Sequence, residues 1–464
     1  MNSEFSPFLR VVKVKAMQAI RLTRANYGLR NRFISQCQVT SLLSLRNTFD
    51  TLKFRQERSY TTCEKEPITP LAKNIMSVIQ DSGPMSVARF MRHVLTNPHQ
   101  GDVGGYYMKG DVFGSKGDFI TSPEISQMFG ELVGVWFLTQ WYALGLPKKT
   151  RIVELGPGRG TLMEDMLRGL SNFKDFYQTI QSVHMVEASP GLRKMQHQKL
   201  CSKSLDDEKT LSVAHKKSQR SDGLEVHWHD HFEELINEDG VFTIVVAHEF
   251  FDALPIYKFE RTKKGWRELM VDIDDSTESP YHFKSIISPA ATPASNALTK
   301  DPAYNRYEVG DRIELSPDSW RIVHQIAKQI RTSSGSALIM DYGQDYTQFD
   351  TLRGIRKHQF TNAFSMPGET DLSADVDFSY LKDAAREFAT SYGPINQAQF
   401  LHSMGIQTRL QMLMKIASKE QRESLESSYK RLTDPMMMGK TYKFLAITPP
   451  NGNGHLPAAF EKTK

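Results

Sequence analysis

The chain has 464 residues, with 39% hydrophobic and 24% charged side chains, an ordinary globular composition. That length suits one large α/β domain with additions, or two domains. No stretch reaches ~18 uninterrupted apolar residues, which argues against a membrane-spanning helix. The formal charge of +5 is misleading, because residues 1–60 hold 11 Lys and Arg against 3 acids, leaving 47 basic against 50 acidic groups in the rest.

That N-terminal arm is rich in Arg and Ser and poor in acids. Arg10, Lys13, Arg21 and Arg24 fall on one face of a helix, with Phe8, Leu9, Val12 and Ile20 over much of the remainder. This is the composition of a mitochondrial transit peptide, expected over residues 1–60. The alternative is a basic tail for nucleic acid or acidic lipid. The charge bias stops abruptly near "RQERSYTTCEKE", which favours targeting to the mitochondrial matrix, with no nucleic acid as partner and no stable membrane insertion. The three cysteines, Cys37, Cys63 and Cys201, lie far apart without ligand-like spacing, so no metal site is expected.

Residues 61–146 read as N-terminal helices followed by a glycine-rich loop. "PMSVARFMRHVLTNP" carries Met85, Val87, Phe90, Met91 and Val94 at helical spacing. The loop "GDVGGYYMKGDVFGSKGDFITSPEIS" then suggests a lid, ending where Thr121 or Ser122 caps a helix opened by Pro123. "LVGVWFLTQWYALGL", residues 132–146, is interrupted by Gln140 and too short to span a bilayer, so it reads as a buried core helix.

Residues 147–350 alternate strands and helices, which implies a mostly parallel sheet with right-handed crossovers. "TRIVEL" is the first strand, residues 161–170 the first helix, and "SVHMVEAS" the second strand, followed by a helix from Pro190 to about Leu200. "LEVHWHD" and "FTIVVAHEFFDALP" supply the third and fourth strands, and "SALIMDYG" a further one after the helix "SPDSWRIVHQIAKQIRTSSG". Residues 201–223 and 275–304 read as insertions, the second containing a loose loop, "SPAATPASNALTKDP". "YKFERTKKGWRELMVDID" reads as a hairpin turning at Lys263–Gly265. Residues 351–449 read as a mainly helical acceptor-side region closed by the strand "KFLAITPP", and 450–464 as a flexible tail.

The chemistry concentrates at strand ends. In "ELGPGRGTL", Gly156, Gly158 and Gly160 leave backbone bare where a strand turns into a helix, so a nucleotide-like ligand can approach. The loop departs from the dinucleotide fingerprint at Thr161, and no Gly-Lys-Ser/Thr follows to make a phosphate-binding P-loop. Glu154 places negative charge beside the ligand, awkward for a pyrophosphate and suited to the cationic amino-acid portion of S-adenosyl-L-methionine. Glu187 ends the second strand, where an acid accepts hydrogen bonds from ribose hydroxyls, and NAD would want the same acid. Asp230, after the third strand, is placed for an adenine amino group, and its neighbours His229 and His231 read more simply as solvent-exposed than as metal ligands. Glu249 and Asp252 stand at the end of the fourth strand, and two carboxylates there suit a cationic acceptor such as guanidinium. Glu249 is the stronger catalytic candidate, since Asp252 could instead cap the following turn. Asp341, Tyr342, Gly343, His358, Asp375 and Asp377 are further candidates for the acceptor pocket. A nicotinamide-dependent oxidoreductase and a non-catalytic assembly chaperone that keeps a cofactor pocket remain as rival readings.

"GDFITSPEIS", "ELGPGRGTL", "HEFFDALP", "DYG", "RGIRKHQ" and "DLSADVDF" stand in the order found in the MidA-like methyltransferases, which the chain resembles from about residue 66 to 449. The resemblance implies a Rossmann-like class I methyltransferase sheet of about seven strands with added helical segments. It implies S-adenosyl-L-methionine as cofactor, with Gly156, Gly158 and Glu187 matching the cofactor motifs and Glu249 the acceptor-side motif. It further implies symmetric dimethylation of arginine on a matrix-side iron–sulfur subunit of complex I, in service of complex I assembly.

Overall fold

The structure is a computed structural model that describes residues 64–98, 101–109, 120–201, 217–235, 240–450 and 456–460. The expected transit peptide, Cys37, Cys63 and residues 110–119 of the glycine-rich loop lie outside the described residues.

Seven strands form the frame of the central sheet: β1 Thr150–Leu155, β2 Ile180–Val186, β3 Glu225–His229, β4 Phe242–His248, β5 Ser336–Gln344, β6 Thr390–Asn396 and β7 Tyr442–Thr448. Their spatial order is β3-β2-β1-β4-β5-β7-β6. The first five run parallel, and β7 lies antiparallel between β5 and β6. Lys217–Gln219 adds an antiparallel edge strand beyond β3, and Val376–Asp377 pairs with the end of β5.

The central parallel strands β1, β4 and β5 are buried along nearly their whole length because both faces are covered, whereas β2 and β3, towards the edge, alternate buried with partly exposed residues. Successive residues serve opposite faces, as a period of two requires. Ile152, Ile244, Val246, Leu338 and Met340 pack on one side against helices 127–143 and 161–170. Val153, Val245, Ala247, Ala337 and Ile339 pack on the other, against helices 317–333 and 378–385. Helix Gln127–Ala143 is buried from Met128 through Trp141, as expected of a core helix, and its buried Glu131 is paired with Arg409 at 2.6 Å. It nests against helix Thr161–Leu170 through Gly130, where a Cβ would sit 2.6 Å from the Asp165 Cβ. Among the described residues no helix is long and apolar enough to cross a membrane.

Two smaller sheets flank this core. The expected hairpin forms from Tyr257–Thr262 and Gly265–Ile273, and belongs to a five-stranded antiparallel sheet with Met85–Ser86, Phe283–Ile287 and Arg312–Leu315. Residues 275–304 are therefore structured in part. The segment expected as a loose loop contains helix Pro293–Leu298, opened by a Thr292–Ser295 capping box with Pro293 in the first turn. The region from 351 is not helical at its start. Arg353–Arg356, Gln359–Thr361 and Asp371–Ser373 make a three-stranded sheet before the helices begin.

The helices expected in this region include Gln397–Met404 and Ile406–Ile416, separated at Gly405 with φ 90°. One other expectation changes. The C-terminal tail, expected to be flexible, folds back at residues 456–460. Phe460 is buried in the core, and the Trp136 indole donates to the Ala458 carbonyl at 2.9 Å.

Candidate active site

The carboxyl ends of β1, β2, β4 and β5 open into one cavity of about 960 Å³. Glu154, Gly156, Gly158, Glu187, Asp230, Glu249 and Asp252 all line it, although they are spread over a hundred residues of sequence. Gly160 stands apart. It precedes the first helix at φ 78° and packs against Gln196 rather than facing the cavity.

The glycine loop leaves β1 with Gly156 at φ 61° and Gly158 at φ 51°, conformations that strain any residue with a Cβ. A Cβ on Gly156 would also lie 2.8 Å from Phe250 Cδ2, so space as well as φ demands glycine there. Gln196, from helix Pro190–Leu200, fixes the loop from behind. Its Nε2 donates to the Gly158 carbonyl at 2.7 Å and to Glu187 Oε2 at 3.2 Å, while its Oε1 accepts from the Trp228 indole at 2.9 Å.

Glu187 is held by the Ser189 N–H at 2.8 Å, and burial pushes its carboxyl up to about 7 against the pull of these hydrogen bonds. Arg193 donates to the Glu187 carbonyl at 2.6 Å and the His229 carbonyl at 3.0 Å, and pairs with the Asp230 carboxylate. This guanidinium ties the ends of β2 and β3 together and orients Asp230. His229 bonds His184 at 2.9 Å, and among the described residues no group of three or more acids, histidines and cysteines is placed to hold a metal.

Glu154 is 2% exposed, and its Oε2 has no hydrogen-bond partner. Burial, then the neighbouring Glu187 charge, raises its pKa well above the ordinary carboxylate range. A buried carboxylate oxygen without a partner is costly unless a donor arrives from a ligand.

At the other end of the cavity, Glu249 follows β4 with φ 49°, a left-handed backbone for a residue with a side chain. Its N–H donates to the Met340 carbonyl at 2.9 Å, and burial followed by the Asp252 charge pushes its carboxyl up to about 8. Asp252 does not cap the turn. Asp341 does, its Oδ2 accepting from the N–H groups of Phe250, Phe251 and Asp252 at 3.2, 3.0 and 3.3 Å. Asp252 is thereby free to face the cavity, where its Oδ2 accepts from the Tyr342 hydroxyl and from Ser373 Oγ at 3.1 Å, and its Oδ1 has no partner. Burial raises the Asp252 pKa as well. Backbone strain held in place by a buried side chain is a common mark of a functional turn.

Of the secondary candidates, Tyr342, Gly343 and Asp375 reach the cavity. His358 sits with Lys357 at the tip of a hairpin, at φ 60° and 50°, and is absent from the wall. Asp377 caps helix Phe378–Ala385 through the Tyr380 N–H at 3.0 Å. Sequence reasoning passed over Tyr442, whose hydroxyl reaches Glu249, and Arg353, which stacks 5.1 Å over Tyr342 and pairs with Asp375 at 2.7 Å. It also passed over His248, beside Glu249 at 3.5 Å, which burial holds neutral with a pKa of about 3.

A seven-stranded sheet in this order, with a glycine loop after β1 and acids at the tips of β1, β2 and β4, defines a class I methyltransferase. Residues 132–395 match the model of a family of S-adenosyl-L-methionine-dependent methyltransferases. The chain belongs to that family, in keeping with its resemblance to the MidA-like methyltransferases. Among its relatives is the rat (Rattus norvegicus) protein arginine methyltransferase NDUFAF7, mitochondrial, 40% identical over 389 residues, which span 83% of this chain and 86% of that one. The Drosophila melanogaster homolog is 40% identical over 383 residues, covering 82% and 85%. A crystal structure from Burkholderia thailandensis bound to S-adenosyl-homocysteine superposes with a TM-score of 0.66 at 24% identity, covering 84% of this chain and 94% of that one, a likeness of fold. The family's cofactor is S-adenosyl-L-methionine, and the cavity fits it. Glu154 offers an unpartnered buried oxygen for a cationic amine, and the bare Gly156–Gly158 backbone lies beside it.

Proposed function

We propose that the protein is a protein arginine N-methyltransferase of the mitochondrial matrix. Its acceptor in this reading is an arginine on a matrix-side iron–sulfur subunit of complex I, dimethylated symmetrically in the course of complex I assembly. The Glu249–Asp252 pair carries the reading. Two carboxylates buried in one cavity, each with its pKa raised, are held at a cost until a delocalised cation joins them. Guanidinium is such a cation, planar and charged at all physiological pH, and it matches carboxylates with paired N–H groups. The names of the rat and fruit-fly relatives point to the same acceptor class.

S-adenosyl-L-methionine supplies an electrophilic methyl group on a sulfonium. Glu187 would take the ribose hydroxyls, Asp230 the adenine amino group and Glu154 the amino-acid amine, with Gly156 and Gly158 giving backbone access. Glu249 and Asp252 hold the guanidinium and turn one nitrogen's lone pair towards the methyl group. As the nitrogen–carbon bond forms and the sulfur–carbon bond breaks, that nitrogen gives up a proton. Glu249 accepts it, because a carboxyl poised near 8 is a competent base at neutral pH. His248 is too weakly basic for the task. Alignment and the fixed negative charge supply the rate enhancement.

Mass spectrometry of complex I subunits from cells with and without the protein tests the proposal. The expected result is an arginine peptide that loses roughly 28 Da, two methyl groups, when the protein is absent. An unchanged arginine methylation pattern would contradict it.

A further inference from the structure

The charges around the cavity are mostly settled within the wall. Arg92 pairs with Asp318 at 2.7 Å, Arg159 with Glu124 at 3.4 Å, Arg321 with Glu233, and Arg353 with Asp375 at 2.7 Å. Lys440 and Lys443 line the same cavity, and neither has a carboxylate partner among the described residues. They bracket Tyr442, whose hydroxyl reaches the Glu249 carboxylate, so they stand beside the acceptor end rather than the cofactor end. Lys443 donates to the Lys440 carbonyl, which holds its ammonium against the rim. Burial and the Lys440 charge lower its pKa, a cost that an incoming carboxylate would relieve. Next to the pair, Met436 is 92% exposed and Met437 is also exposed, an apolar border that contributes nothing to the core.

We infer that this lysine edge reads the sequence around the acceptor: the protein segment it takes carries a carboxylate side chain within a few residues of the arginine that is methylated. The inference rests on the arginine methyltransferase reading and narrows its substrate class. A basic segment would set like charge against Lys440 and Lys443 and be turned away, so the edge excludes as well as attracts.

The test uses the full chain, labelled S-adenosyl-L-methionine and three peptides of one sequence, each with a single arginine flanked by Glu, Gln or Lys. The Glu-flanked peptide should have the highest kcat/KM and the Lys-flanked peptide the lowest. Each step is expected to be up to about fivefold, the range of a partly exposed ion pair. The difference should sit in KM and shrink with added salt. The double variant Lys440→Glu/Lys443→Glu should reverse the order, with donor affinity in the same sample reporting that it is folded. Where turnover is too slow to follow, fluorescence anisotropy of the labelled peptides in the presence of S-adenosylhomocysteine reads the same order. Equal rates, a wild-type preference for the Lys-flanked peptide, or no binding of any peptide would overturn the inference. Label recovered on a residue other than arginine would instead sink the arginine reading, while the flank order still decides the role of the lysines.

Discussion

Replacing Glu249 with Gln removes one carboxylate from the buried pair while keeping shape and volume. The Glu249 carboxyl is pushed from 4.5 up to about 8, by burial first and Asp252 second. At 1.36 kcal/mol per pK unit, ionising it in the folded protein costs at most about 5 kcal/mol. Its folded pKa lies above the unfolded value, so the folded state holds an extra proton between pH 4.5 and about 8. Wild-type stability should therefore fall as pH rises through that window and level off above it. The Glu249→Gln variant carries no such proton. Its stability relative to wild type should grow across the window, towards that ceiling of about 5 kcal/mol. Activity should move the other way. In the proposed mechanism the carboxylate is the form that binds guanidinium and takes the proton, so wild-type kcat/KM should climb about tenfold per pH unit up to about 8 and then flatten. In Glu249→Gln that limb should vanish and the rate fall by about 10²–10⁴. Calorimetric melting and methyl transfer, each followed from about pH 5 to pH 9, measure both. Parallel melting curves together with an unchanged pH–rate limb in the variant would refute the reasoning.

Three further outcomes are expected. Gly156→Val sets side-chain atoms against Phe250, 2.8 Å from the Cβ position, on a backbone with φ 61°. Overpacking of about 1–3 kcal/mol should weaken donor binding in titration calorimetry about tenfold or more, and unchanged affinity would show that the loop is not the cofactor cradle. Asp341→Ala strips the acceptor from three consecutive N–H groups, those of Phe251 and Asp252 buried and that of Phe250 partly so. At about 1–3 kcal/mol for each donor left unsatisfied, the melting temperature and methyl transfer should both drop, and a wild-type melt would contradict the capping role. Phe460→Ala removes a ring that is 8% exposed and packed against Trp136 and Phe400. Denaturant unfolding should show about 3 kcal/mol lost, whereas a free tail would lose nothing.

The central sheet was legible wherever the chain repeats a strong local signal. Buried parallel strands are continuous apolar runs, and "TRIVEL" and "FTIVVAH" sit where the sequence placed them. β6 escaped notice because Gly393 and Pro394 interrupt it, and a glycine–proline pair argues against a strand interior. As an edge strand with a bulge between Tyr392 and Ile395 it tolerates both. The five-stranded sheet escaped because it is assembled from four separate stretches, and pairing at that distance leaves no trace in local periodicity.

The site divides along the same line. Glu154, Gly156, Gly158, Glu187 and Glu249 stand at strand ends, where type and position together carry meaning. Asp230 was placed correctly on the cavity, yet its tie to Arg193 rests on a helix 37 residues away. Tyr442 reaches Glu249 from a strand with no motif of its own, and Arg353, though it opens "RGIRKHQ", gets its place beside Tyr342 and Asp375 only from the fold. The role of Asp341 as the cap of the Glu249–Asp252 turn depends on β5 lying beside β4, which only the fold supplies.

Methyl transfer to arginine at the Glu249–Asp252 pair is the central proposal. Its most direct test incubates the protein with labelled S-adenosyl-L-methionine and matrix extract from cells that lack it, then separates the methylated amino acids of the hydrolysed protein. The expected label is in symmetric dimethylarginine with wild type and lost with Glu249→Gln. Label in lysine or glutamine, or in arginine undiminished by Glu249→Gln, would contradict it.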